Sequence, residues 1–157
     1  MSGVVTFLDT SVLCNILAVP HMDQDRASVR TEMRLRADRG ETFILPVTTV
    51  IETGNHIRHI DNGDYRRKAA DRFATLLRNT LEDQAPWSLH TLSWSPAFLR
   101  DLLAGAGTGM QFVDHAQAGL GCGDLCIICE RNVYQQRSGI AQVTVWTLDG
   151  PLAAHLP

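Results

Sequence analysis

With 157 residues, 45% hydrophobic content and a formal net charge of −3, the chain has the balance of one domain with an ordinary core. No apolar run approaches the roughly 20 residues that cross a bilayer. The opening MSGVVTFLDTS sets an acid in its first apolar run and lacks the basic start and small-residue cleavage site of a signal peptide. A membrane or exported class is therefore disfavoured and a cytoplasmic location expected, in which Cys14, Cys122, Cys126 and Cys129 should remain free thiols.

Val4 to Leu8 is a β-branched and aromatic run that predicts a buried strand ending on Asp9, Thr10 and Ser11, followed by a short helix from Val12 to Leu17 stopped by Pro20. Asp23 to Arg39, with Gly40 behind it, predicts an exposed helix. Thr42 to Val47 is a second strand, and Thr48 or Thr49 is the expected cap of a helix to about Ile60 that places Glu52 in its first turn. After a turn at Asp61, Asn62 and Gly63, Asp64 to Leu81 predicts an amphipathic helix with Ala69, Phe73, Leu76, Leu77 and Leu81 on the apolar side.

Trp87 to Leu92 alternates like a third strand, and Ser95-Pro96 opens a helix over Ala97 to Leu103. Six glycines between Gly105 and Gly123 predict a mobile loop around a helical piece near Val113 to Ala118. Gly123-Asp124 then starts an apolar helix to about Gln136, and Gln142 to Thr147 is a last strand ending on Leu148-Asp149-Gly150. Strands alternating with helices predict a single α/β domain over residues 1–157: a three-layer α/β/α sandwich with a central, mostly parallel sheet of four or five strands.

In such a sheet, ligands gather beyond the carboxyl ends of the strands. Asp9 and Asp149 follow strands, and Glu52 and Asp124 open helices, so all four can project to that edge. Converging carboxylates repel unless cations neutralise them, and hard oxygen ligands suit Mg2+ or Mn2+. Such ions can activate water and stabilise the charge of an in-line phosphoryl displacement. Each acid also has a plainer role: Asp9 as a helix cap, Glu52 and Asp124 as complements to helix dipoles, Asp149 as a turn residue.

Charge is divided along the chain. Residues 26–78 hold eleven of the fourteen basic side chains, whereas residues 79–157 are acidic on balance. The basic half could guide a polyanion, or its arginines could simply solvate helix faces.

Other patterns weigh less. Cys122, Cys126 and Cys129 have the C-x3-C-x2-C spacing of radical SAM clusters but lie in an apolar helix near the C-terminus, where they read as small core residues on an arc opposite Asp124. GAGTGM and GLGCGD lack the Lys-Ser/Thr of a P-loop. His56 and His59 read as surface residues, and Trp87, Trp94 and Trp146 as residues in or near the core.

Taken in order, FLDTSVL, TTVIETGNHI, GCGDLCIICE and VWTLDGPLAAH resemble the successive motifs of PIN-domain nucleases, including the VapC toxins, over residues 5–155. The resemblance implies a metal-dependent endoribonuclease in which Asp9, Glu52, Asp124 and Asp149 hold Mg2+ or Mn2+ while Ser11 and Thr147 support them by hydrogen bonding. It further implies an RNA substrate, a homodimer and, for a toxin, a cognate antitoxin. FLDTSVL is also similar to haloacid-dehalogenase phosphatases, but Ser11 stands where those enzymes carry a second Asp. A PIN-like binding or scaffold protein of little activity is the alternative function.

Overall fold

The structure, a computed structural model, describes residues 3–157. β1 (Val4–Leu8) is buried over its last four residues, as expected of a strand covered on both faces. It ends at Asp9, which has extended backbone and caps α1 (Thr10–Ile16) by accepting from the Ser11 N–H. The helix therefore begins before the expected Val12, and the acid is its cap. α2 (Arg26–Asp38) buries only Val29.

β2 (Thr42–Ile44) is shorter than the predicted 42–47. Leu45 still donates to the Ser88 carbonyl at 3.0 Å, but Pro46 has no N–H to continue the ladder and becomes the cap of α3 (Val47–Arg58). The threonines expected to cap α3 thus lie inside it, where Thr49 donates its hydroxyl to the Leu8 carbonyl at 2.7 Å. Glu52 consequently stands in the second turn, not the first. Asn62 caps α4 (Gly63–Leu81) with two hydrogen bonds, from the Asp64 and Tyr65 N–H groups.

β3 is only Trp87–Ser88, not the predicted 87–92. Beyond it the His90 ring turns inward, with Nε2 3.5 Å from Oε1 of the fully buried Glu130. α5 (Pro96–Leu103) starts at its Ser95 cap with proline in the first turn. α6 (Phe112–Ala118), α7 (Cys122–Ser138) and β4 (Gln142–Trp146) follow as expected, and a short α8 (Gly150–Ala153) was not anticipated.

All four strands are parallel, in the order β3-β2-β1-β4. From β1 the chain proceeds outward through β2 and β3, then crosses to β4 on the other side of β1. The carboxyl ends of β1 and β4 therefore flank a topological switch point. Leu8, Leu13, Phe43, Ile57, Phe73 and Trp146 pack on one face. Val5, Phe7, Val143, Leu125, Ile128 and Phe98 pack on the other. The result is a three-layer α/β/α sandwich, and no helix among the described residues is long and apolar enough to cross a membrane.

Several side chains depart from expectation. Trp87 and Trp146 are buried, but Trp94 is 70% exposed and lies against Phe98. Leu81 is also exposed, although Thr80 beside it is buried and accepts from Trp87 Nε1 at 2.9 Å. Of the cysteines in α7, Cys129 is buried, Cys126 half-buried and Cys122 exposed, so the thiols span the helix edge instead of sharing the core. In the glycine-rich segment, Thr108 bonds to the Gly105 carbonyl at 2.8 Å and to His115 Nε2 at 2.6 Å. Gly105, at φ +82°, abuts the Met110 carbonyl so closely that no side chain fits there.

Candidate metal centre

Three of the four expected acids meet at the switch point. Asp9 leaves the end of β1, Glu52 comes from the second turn of α3 and Asp124 from the first turn of α7. Each offers a carboxylate oxygen, and these oxygens lie within 4.8 Å of one another.

Asp9 is divided between two tasks. Its Oδ2 accepts from the Ser11 hydroxyl at 2.7 Å, the Thr147 hydroxyl at 2.8 Å and the Ser11 N–H at 3.3 Å. Its Oδ1 is buried and has no hydrogen-bond partner. The cap role therefore does not preclude a ligand role, since it leaves Oδ1 unused. Ser11 and Thr147 thus hydrogen-bond Asp9 as expected, Ser11 from the first turn of α1 and Thr147 from one residue beyond β4.

Two supporting features were not legible as site residues. Thr10 donates its hydroxyl to Glu52 Oε2 at 2.9 Å, tying α1 to α3. Gly123 receives the Glu52 carboxylate so closely that a Cβ built there would overlap it. The signal available was a glycine in the first turn of a helix, where it costs stability unless something must approach the backbone.

Burial, then the charges of Asp9, Glu52 and Asp149, push Asp124 up to about 7, with a hydrogen bond from Gly121 opposing. Beneath the cluster, burial, opposed by a hydrogen bond with Thr53 and reinforced by the charges of Asp9 and Glu52, raises the Cys14 thiol to about 11, which leaves it protonated and non-nucleophilic. Asp149 is outside the close trio, although its charge reaches Asp124. Its N–H donates to Thr147 Oγ1 at 2.9 Å, and its carboxylate makes no hydrogen bond among the described residues.

The donors fit a hard divalent cation: three carboxylates, one bare buried oxygen and no competing lysine or arginine pairing with them among the described residues. Several arginines of the basic half are committed elsewhere. Arg72 donates to the Leu17 and Ala18 carbonyls at the end of α1, Arg66 donates to Ile60, and Arg36 pairs with Glu32 and stacks 4.6 Å over the Trp146 ring. Arg26, Arg30, Arg34 and Arg58 are exposed with no side-chain hydrogen bond or ion pair among the described residues. His56 and His59 are likewise exposed.

Compared with known proteins, the chain matches no family model, no curated protein and no solved structure.

Proposed function

We propose that this chain is a divalent-metal-dependent endoribonuclease of PIN type, with Asp9, Glu52 and Asp124 holding Mg2+ or Mn2+. The carrying observation is Asp9, whose Oδ1 is buried without a partner and whose carboxylate closes with those of Glu52 and Asp124 to within 4.8 Å. An anionic oxygen left bare in a buried position is costly unless something completes it. When bound, a divalent ion supplies Lewis-acid stabilisation to an in-line phosphodiester displacement.

The protein's own groups account for the remaining tasks. Ser11 and Thr147 fix the orientation of the Asp9 carboxylate, and Thr10 and Gly123 seat that of Glu52. Asp124, near half-protonated at neutral pH in the metal-free chain, gives up its proton as cation binds. Asp149, at the rim, orients the attacking water and takes its proton. Arg26, Arg30, Arg34 and Arg58 supply cationic surface for a nucleic-acid backbone.

RNA as substrate, a homodimer and the role of a toxin held by a cognate antitoxin rest on the sequence resemblance. The toxin role is tested by the neighbouring reading frames: a small antitoxin gene beside this one would support it, and none would count against it. The direct experiment is Mn2+-dependent cleavage of RNA by the native chain beside Asp9→Asn and Asp124→Asn. Both variants should fold and lose cleavage. Undiminished cleavage by both would falsify the site, and a native chain that binds Mn2+ but cuts no RNA would be a PIN-like binding protein instead.

A further inference from the structure

A cavity of about 360 Å3 lies between the glycine-rich loop, α7 and the segment after α8, with Thr108, Arg131, Asn132, His155 and Gly107 in its lining. No Asp or Glu side chain lines it. Arg131 is held in a fixed orientation, its Nε donating to the Val143 carbonyl at 2.7 Å and its Nη1 to Asn132 Oδ1 at 2.6 Å. Its Nη2 remains uncommitted, and no carboxylate pairs with it among the described residues. Burial lowers its pKa, yet a guanidinium stays charged in proteins, so a partly desolvated cation stands here without an ion pair among the described residues, although the last residue, Pro157, also lines the cavity.

The cavity wall is built to match. His115, which is not itself in the lining, is buried, and desolvation followed by the neighbouring His155 lowers its pKa. It bonds Thr108 and packs edge-on against the His155 ring, centroids 4.7 Å apart. The loop reverses through Gly105, Ala106 and Gly107, all with positive φ, and the Gly107 N–H has no backbone partner among the described residues.

We propose that this cavity is an oxyanion site that takes a phosphate group, held by the Arg131 guanidinium with His155 and the Gly107 N–H. Planar, forked donors suit phosphate oxygens. The volume lies at the lower end for small-molecule sites and fits a phosphomonoester. Arg131 lies seven residues beyond Asp124 in α7, about 10 Å along the helix axis. The site is therefore separate from the carboxylate trio and stands independently of the nuclease reading.

The experiment is a titration of inorganic phosphate into the full chain in EDTA, against chloride at equal ionic strength, followed by calorimetry and 31P line broadening. Phosphate should bind and chloride should not. Arg131→Gln and His155→Gln should each weaken binding at least tenfold, while Asp124→Asn leaves it unchanged. Because Arg131 also bonds β4, His155→Gln, which forfeits no side-chain hydrogen bond, keeps the test decisive if the arginine variant unfolds. Displacement of phosphate by a 5′-phosphorylated oligoribonucleotide but not its 5′-hydroxyl form identifies an RNA end as the source. Displacement by neither identifies a free phosphorylated small molecule. Phosphate binding no tighter than chloride, or native binding by the folded variants, overturns the proposal.

Discussion

Gly123→Ala should separate metal binding from folding. A methyl group there overlaps the Glu52 carboxylate, and regaining the roughly 3.5 Å spacing of non-bonded atoms moves that carboxylate by on the order of 1.5 Å. Metal–oxygen distances tolerate only about 0.2 Å, so Glu52 ceases to be a ligand. Loss of a supporting group alone weakens metal sites about 10–100-fold, and loss of a ligand should do no less. Folding is affected on a smaller scale. The substitution gains about 0.5–1 kcal/mol of helix propensity, and breaking the 2.9 Å Thr10–Glu52 hydrogen bond costs about 1 kcal/mol. Urea denaturation in EDTA should therefore find stability within about 1 kcal/mol of native, while Mn2+ titration by calorimetry finds affinity down at least roughly tenfold. Native Mn2+ affinity in this variant would refute both the seat assigned to Gly123 and the ligand role of Glu52.

Further outcomes follow from individual contacts. Because the folded pKa of Asp124, about 7, is raised above its ordinary 3.8, its stabilising contribution is full below the lower value and lost as pH rises through the upper one. Metal-free stability should thus decline between those limits, and saturating Mn2+ should abolish the decline, as thermal melts across pH can show. Thr147→Val removes one of the donors to Asp9 Oδ2 and the acceptor of the Asp149 N–H, so urea denaturation should register a loss of about 1–3 kcal/mol; an unchanged midpoint would deny Thr147 that role. Arg72→Ala forfeits two hydrogen bonds at the end of α1 and should lower stability by about 1–2 kcal/mol with RNA affinity intact. Weaker RNA binding at native stability would place Arg72 on the substrate path instead.

The layered fold and the site trio were legible because their signals are local. β1 is an apolar run that breaks on an acid, and Gly123-Asp124 follows a loop and opens a helix. Boundaries were less legible where tertiary contacts decide them. Pro46 ends β2 early only because its missing N–H coincides with the start of α3, and β3 shrinks to two residues because the chain turns His90 inward toward Glu130. Nothing local marks Glu130 as fully buried or Trp94 as exposed. Thr10 and Gly123 act on Glu52 from distant parts of the chain, a relation that no spacing rule exposes.

The position of β1 at the centre of the sheet governs when the site can exist. β1 is made first, yet one of its two neighbours is β4, whose Gln142 pairs with Val4. The Thr147 hydroxyl that orients Asp9 comes from 138 residues further on. Such non-local pairing carries its loop-closure cost before any contact rewards it, which slows folding. On the ribosome, an emerging chain that has completed α4 therefore presents Asp9 and Glu52 without Asp124 or the threonine that aims Asp9. The acidic cluster is complete only with the last strand, so a chain that lacks β4 should show none of the proposed cleavage.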